Sequence, residues 1–304
     1  MKNIKTILFA SVLLLTGCNT IPNTEKINIL APSGTPLLAI SPYLHENKNN
    51  INYSVADGPD GLAPAFSSGS HDIIVAPINL GANVYSKNQK YVLFETIVWG
   101  NLYVVSNNKM NSFLDLKDKT ITLFGTNQTP DIIMKSLARE NNIEYETVRL
   151  DSVENVNSYF MQNKAEYIVS AEPSLSVLKS KKPNLQVLDL QEEWKKITGN
   201  YSYPQAGIFV LKEKAQTLKT ELLKMKNNIL TILDDVDYSA ECALETPLKK
   251  LGKEALKTAL PNSHIGINEN QKEAIEFYFN KLLDLELGHT IGNCIPDENF
   301  YLKF

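Results

Sequence analysis

The sequence predicts an α/β protein made of two lobes, and three features of the 304-residue chain support this fold class. Short apolar runs alternate with helical segments, as is typical of a parallel sheet wound by helices. The alternation restarts after Ser106, which indicates a second unit of the same architecture. Two long β-rich runs, 91–105 and 203–211, predict segments that cross between the lobes. We therefore expect lobe I to contain 26–104 and 208–304, and lobe II to contain 105–207.

The elements of lobe I follow from its apolar runs and turn residues. Each strand run ends at Pro or Gly, and Thr35 is expected to cap the first helix, with Pro36 at its first position. Ala76 and Pro77 end a buried strand, so they should lie at the rim where ligands of such sheets bind. The predicted elements are strand 26–31, a helix from 35 to about 45, strand 51–56, helix 62–67, strand 72–76 and helix 78–85.

Lobe II repeats this architecture without repeating the sequence of lobe I. Its predicted elements are a short helix and turn at 112–119, strand 120–124, a helix reaching 141, strand 144–150, helix 153–163, strand 167–170, helix 174–181 and strand 185–190. The chain then returns to lobe I and becomes mostly helical. Apolar residues spaced for helices packed on one face predict helices 215–233, 247–260 and 271–285.

Composition and charge exclude several classes of function. The chain is 43% hydrophobic and 21% charged, with a net charge of −4. It carries no basic block or recognition motif, so we predict no nucleic-acid partner. No repeat or low-complexity tract is present, and we expect a monomer.

The first residues of the chain have the features of an export signal. A basic segment, Met1–Lys5, precedes the apolar run 7–15, which is too short to span a bilayer as a helix. The sequence Leu15-Thr16-Gly17-Cys18 then resembles the lipobox of bacterial lipoproteins. That resemblance implies cleavage before Cys18 and acylation of its sulfur and amino group by chains such as palmitate, with 18–25 as a polar tether. An ordinary signal peptide containing a chance Cys is the alternative.

Two similar loops are the clearest candidates for a binding site. Residues 33–36 and 125–130 each join a strand to a helix that begins with Thr-Pro. Helix N-termini present unpaired N–H groups that hold anionic or polarised oxygen atoms. Two loops that face each other across a cleft between the lobes could therefore bind one ligand. Ordinary capping of helices in an α/β protein is the alternative.

Aromatic, amide and acidic residues near the crossovers and strand ends complete the candidate site. Aromatic rings can stack on a planar ligand, amides can orient it, and carboxylates can accept its donors. Core packing of the aromatic rings and simple solvation of the acids are the alternatives. The expected ligand-binding residues are Ser33, Gly34, Thr35, Asp57, Pro77, Trp99, Asn101, Thr126, Asn127, Thr129, Glu172 and Tyr203.

Catalysis and cofactor binding have little support in the sequence. The four histidines lie in no local nucleophile or metal motif, although a triad assembled in space stays open. The chain has no P-loop, GxGxxG or HExxH motif, so we predict neither a cofactor nor a metal. Cys242 and Cys294 could form a disulfide or stay reduced, and the sequence favours neither.

Several short motifs together resemble one family of transport proteins. The run 116–121, Ala171-Glu172-Pro173, the loop 31–36 and the tail 296–301 are similar to bacterial ABC-transporter solute-binding lipoproteins, in the branch that binds taurine, nitrate and thiamine precursors. Asp118 replaces the Gly that is usual there. The resemblance implies a type II periplasmic-binding-protein clamshell on the outer side of the cell membrane. Such a protein is no enzyme: it captures a small molecule and delivers it to a permease and its ATPase. A cleft enzyme of the menaquinone-biosynthesis type and a ligand sensor are the alternatives.

Overall fold

The computed structural model describes residues 26–56, 61–199 and 202–304, and its strands form two sheets. The predicted signal peptide 1–17, the acylated Cys18, the tether 18–25 and Asp57 lie outside the described residues. The strands are β1 Ile27–Pro32, β2 Ile51–Ala56, β3 Ile73–Pro77, β4 Tyr91–Val98, β5 Leu102–Ser106, β6 Thr120–Phe124, β7 Glu146–Leu150, β8 Tyr167–Ala171, β9 Gln186–Asp189 and β10 Ala206–Leu211. The helices are α1 Thr35–Glu46, α2 Leu62–Ser68, α3 Ile78–Asn88, α4 Thr129–Glu140, α5 Val153–Met161, α6 Ser174–Lys181, α7 Leu190–Thr198, α8 Lys219–Leu230, α9 Val236–Leu244, α10 Lys253–Ala259 and α11 Gln271–Asp284.

Each sheet contains one strand that enters it directly from the other lobe. The order is β2-β1-β3-β10-β4 in the first sheet and β7-β6-β8-β5-β9 in the second. Strand β10 runs antiparallel between β3 and β4, and β5 runs antiparallel between β8 and β9, whereas β1 pairs in parallel with β2 and β3, and β6 with β7 and β8. The predicted α/β architecture with two lobes and two crossing segments is confirmed.

The strand bounds place the crossovers close to the predicted lobe boundaries. The first crossover is 99–101, because β5 already lies in the second sheet from Leu102 onward. The second crossover ends at 205, because β10 lies in the first sheet from Ala206 onward. The chain therefore passes from one sheet to the other at these points, and the lobe boundaries at 104/105 and 207/208 stay predictions.

Several strands are buried on both faces, as expected of sheets covered by helices. All residues of β4, β5 and β8 are buried, and so are the first four residues of β3. The edge strand β7 has no buried residue. Rigid sheets on both sides thus hold the loops at their carboxyl ends in fixed positions.

One amide, that of Gln191, joins the two crossovers. The Gln191 side chain is buried in the first turn of α7, and its Nε2 donates to the carbonyl of Trp99 at 2.6 Å. Its Oε1 accepts from the backbone N–H of Tyr203 at 3.3 Å. Gly100 has φ 111°, and a Cβ there would lie 3.0 Å from the Gln191 amide carbon, so this close approach requires glycine.

Several local expectations differ from the structure. Helices α7 and α9, each nine residues long, were not predicted, and the side chains of Asp189 and Asp235 cap them. The region 247–260 begins as a 3-10 helix, and only after Gly252, at φ 83°, does α10 begin. The predicted helix 215–233 is shorter, at Lys219–Leu230.

Candidate functional site

A cleft of about 160 Å³ lies between the two sheets, at the carboxyl ends of their strands. Both lobes contribute to it, and most of its lining is apolar. Such an edge is where open α/β sheets bind ligands. The lining residues are Pro32, Ser33, Gly34, Thr35, Pro36, Pro77, Asn101, Phe124, Gln128, Thr129, Pro130, Val153, Ala171, Glu172, Ser174, Gln205 and Ala206.

The N-termini of α1 and α4 both lie at this cleft, one from each lobe. Thr35 is the first residue of α1 rather than its cap, since Gly34 occupies the cap position with φ 89°, a conformation that favours glycine. Likewise Thr129 begins α4 after Gln128, and neither helix has a side-chain cap. The first N–H groups of these helices are therefore available for ligand oxygen atoms.

A chain of hydrogen bonds crosses the cleft floor through Asn101. Its Nδ2 donates to Thr35 Oγ1 in lobe I at 2.7 Å, and its Oδ1 accepts from the backbone N–H of Glu172 in lobe II at 2.7 Å. The Thr35 hydroxyl in turn donates to the Glu172 carbonyl at 2.7 Å. All three residues are buried, so each bond is shielded from water. The Asn101 side chain thus bridges the lobes at the first crossover.

Glu172 brings an ionisable group to the cleft. It is 3% exposed, and its carboxylate accepts from the backbone N–H and the hydroxyl of Ser176, each at 3.0 Å. Burial raises the pKa of this carboxyl to about 7, while the Ser176 hydrogen bonds and the Lys179 charge oppose the rise. The cleft therefore disfavours the negative charge of its own carboxylate.

Gln205 is a second polar residue of the cleft lining. Its backbone is fixed in the first sheet, because its N–H donates to Val98 at 2.9 Å and its carbonyl accepts from Ile78 at 3.1 Å. Its Oε1 is buried and has no hydrogen-bond partner among the described residues. A buried unpaired acceptor is costly, so it favours a ligand that donates to it.

Most of the predicted ligand-binding residues lie together in this cleft, and four described ones do not. Ser33, Gly34, Thr35, Pro77, Asn101, Thr129 and Glu172 line it. Thr126 and Asn127 are exposed outside it. Trp99 lines a separate opening with Gln191 and His264, and Tyr203 is fully buried with its ring centroid 5.8 Å from that of Trp194. Core packing, the alternative reading, thus describes Tyr203.

Sequence reasoning missed several lining residues. Gln205 lies within the predicted crossover run 203–211 and Gln128 within the predicted loop 125–130, so their position in the sequence was an available signal. Phe124, Val153 and Ser174 also line the cleft, and each lies at a strand end or helix start of lobe II. Nothing in their residue types distinguishes them from core or capping residues.

Other features of the described residues bear on the remaining expectations. No helix among them is both long and apolar enough to cross a membrane. No cluster of three or more His, Cys, Asp or Glu within them could hold a metal ion. Cys242 and Cys294 are both unpaired, the first buried and the second exposed.

Comparisons with known proteins identify the fold. No protein-family model matches the chain, and no curated protein matches it in sequence. An ABC transporter protein from Parabacteroides distasonis is similar in structure, with TM-score 0.75, 18% identity, and coverage of 91% of this chain and 99% of that one. The ligand-binding component of an ABC-type import system from Staphylococcus aureus, with zinc bound, has TM-score 0.68, 12% identity, and coverage of 92% and 96%. The alkanesulfonate-binding protein SsuA from Xanthomonas axonopodis pv. citri, bound to MOPS, has TM-score 0.64, 11% identity, and coverage of 86% and 93%. The chain has the two-lobed periplasmic-binding-protein fold.

Proposed function

We propose that this protein is a lipid-anchored, extracytoplasmic solute-binding protein that captures a small organic molecule between its lobes and delivers it to an ABC importer. The observation that carries the proposal is the cleft itself, to which both lobes contribute helix N-termini and buried polar groups. Among the structurally similar proteins, one is the ligand-binding component of an ABC-type import system, one is an ABC transporter protein and one is an alkanesulfonate-binding protein.

The arrangement of the cleft supports binding rather than chemistry. Its few polar groups lie within a largely apolar lining, as in sites that orient a small ligand. Glu172, the one ionisable lining side chain among the described residues, is held by Ser176 and not by a histidine or a lysine. A ligand that contacts both lobes would favour the closed form by its differential affinity for the two forms.

Native mass spectrometry of freshly purified protein tests for a ligand retained in the cleft. A bound mass that disappears on denaturation is the expected result. Adding that compound to stripped protein should lower the radius of gyration in X-ray scattering, because the lobes close on it. A compound that raises the melting temperature without changing the scattering curve would argue against closure.

A matched pair of threonines tests the position of the site. Thr129 lines the cleft, whereas Thr126 is exposed in the same loop. Thr129→Val removes one hydrogen-bonding group and should weaken affinity by about three- to tenfold. Thr126→Val should leave affinity unchanged. Equal affinity of both variants and the parent in calorimetric titration would contradict this placement.

The anchor and the transport partner have separate tests. Cys18→Ala should abolish incorporation of a labelled fatty acid and release the protein from the membrane. Equal labelling of parent and variant would exclude Cys18 as the acceptor. Uptake of the identified ligand should be lost when the binding protein is deleted, and unchanged uptake would contradict the delivery role. We propose that the protein acts as a monomer, and light scattering checks this.

A further inference from the structure

We infer that the cleft takes a small molecule that presents an N–H donor and carries no negative charge. This inference rests on the proposed solute-binding function and adds the chemical class of the solute. It follows from three features of the cleft: the charges that line it, the acceptors it leaves unpaired, and its apolar surroundings.

The charges around the cleft do not favour an anion. No Lys, Arg or His is among the described residues that line it, and the one ionisable lining side chain is the acid Glu172. Cations do lie near the start of α4, but they bind Asp131: Lys135 Nζ and Arg149 Nη2 each lie 2.8 Å from its carboxylate. These two cations are therefore already paired with a buried carboxylate of the protein.

Helix N-termini alone are a weak substitute for a cation here. Pro36 and Pro130 each occupy the second position of their helix and remove one N–H donor. In α4 the buried Asp131 lies in the first turn and accepts from the backbone N–H of Asn127 at 2.9 Å. A protein carboxylate thus already occupies part of this anion-favouring end. The N–H donors that remain at the two helix N-termini suit a polarised oxygen, such as a carbonyl, better than a full negative charge.

The cleft also contains acceptor groups that suit a ligand with a donor. Gln205 Oε1 is buried without a partner among the described residues, and the carboxylate oxygens of Glu172 retain lone pairs beyond the two bonds from Ser176. The Gln205 amide oxygen and the Glu172 carboxylate would each repel an anion and would each accept a hydrogen bond from an N–H group. The raised pKa of Glu172 is consistent with a site that already disfavours one negative charge.

The surroundings make this preference strong. A charge that enters an apolar site loses its hydration, and only an opposite charge or several hydrogen bonds can replace it. An anion has no such partner here, whereas an uncharged amide has an oxygen for the helix ends and an N–H for Gln205 and Glu172. A protonated amidine has Glu172 as its counter-ion. The cleft, with a volume of about 160 Å³, has room for a small molecule.

Four probes of nearly equal shape test the inference on the purified full-length protein: benzamide, benzamidine, benzoate and benzenesulfonate. Calorimetric titration should show benzamide and benzamidine binding more tightly than either anion, by about tenfold or more. Glu172→Gln keeps an acceptor for Ser176 and removes the charge, so it should reduce the ratio of benzamide to benzoate affinity. Glu154→Gln removes an exposed carboxylate outside the cleft and should leave that ratio unchanged.

Three results would overturn the inference: an anion that binds as tightly as benzamide, an affinity ratio that Glu172→Gln does not change, or binding of none of the probes. An anion that binds and also lowers the radius of gyration would overturn the charge preference and leave the solute-binding proposal intact. Failure of all probes together with no retained ligand in native mass spectrometry would overturn both.

Discussion

Replacing Asn101 by alanine should destabilise the protein far more than an ordinary surface substitution. The side chain makes two hydrogen bonds of 2.7 Å, to Thr35 Oγ1 and from the N–H of Glu172, and all three residues are buried. Without this side chain the buried Glu172 N–H is unsatisfied, which costs about 1–3 kcal/mol. The hydrogen bond to Thr35 Oγ1 is also lost, which costs about 1 kcal/mol. Asn101 also has φ 89°, where alanine costs about 1 kcal/mol more than asparagine.

These contributions sum to a loss of about 3–5 kcal/mol in the free energy of unfolding, measured by urea titration with tryptophan fluorescence. Asn163→Ala is a matched control, since Asn163 has φ 56° but is exposed and outside the cleft. It should lose only the backbone contribution of about 1 kcal/mol. Asn101→Gly relieves the backbone strain, so its loss of unfolding free energy should lie between those of Asn101→Ala and Asn163→Ala.

The bridge also links the lobes, so the ligand-free Asn101→Ala protein should have a larger radius of gyration than the parent. Equal destabilisation by Asn101→Ala and Asn163→Ala would refute the reasoning, because it would mean that the buried hydrogen bonds contribute nothing. A scattering curve identical to that of the parent would separately refute the role of the bridge in holding the lobes together.

Three further predictions follow from other buried groups. Because the pKa of Glu172 rises from 4.5 to about 7 on folding, its contribution to stability is present below about pH 4.5 and is lost as the pH rises to 7. Urea titrations at several pH values should show this loss in the parent and not in Glu172→Gln. The same pH dependence of the unfolding free energy in both proteins would contradict this prediction. Lys226→Met leaves the buried Glu95 without the ammonium that lies 2.5 Å from it, so unfolding free energy should fall by about 3–5 kcal/mol, and adding Glu95→Gln should restore much of it; no recovery in the double variant would argue against the pair. Gly207→Ala places a Cβ 2.9 Å from the Glu95 carbonyl and 2.7 Å from Ile78 and Leu93, so thermal unfolding should show a loss of about 1–3 kcal/mol, and an unchanged melting temperature would show that the strand shifts freely.

The fold could be predicted from the sequence because its evidence is local. Apolar runs that reach Pro or Gly mark the ends of β1, β3 and β6, and the restart after Ser106 indicates the second lobe. Short helices such as α7 depend on tertiary contacts, among them the buried Gln191 amide, and were therefore missed. Thr35 was predicted to cap α1, but Gly34 occupies that position. The choice depends on backbone angles such as the φ of Gly34, which the sequence alone does not give.

The candidate site could be predicted only in part, for a physical reason. Residues at strand ends meet wherever the sheets place them, so Thr35, Asn101 and Glu172 were identified individually. Their hydrogen-bonded chain spans 137 residues of sequence and depends on the register of both sheets. Trp99 and Tyr203 flank the crossovers as expected, but their side chains pack away from the cleft. The direction of a side chain at a crossover is set by tertiary packing, which no local pattern encodes.

The exchange of strands between the sheets has a consequence for the order in which the chain can fold. Every strand of the second sheet lies between Leu102 and Asp189, so that lobe can close from one continuous segment. The first sheet lacks its fourth strand in spatial order until β10, at Ala206–Leu211, has emerged. Until then β3 and β4 expose unpaired edges, which are the surfaces most prone to wrong association. During vectorial synthesis the N-terminal lobe must therefore wait for the middle of the chain, and the second lobe can act as the scaffold on which the first is completed.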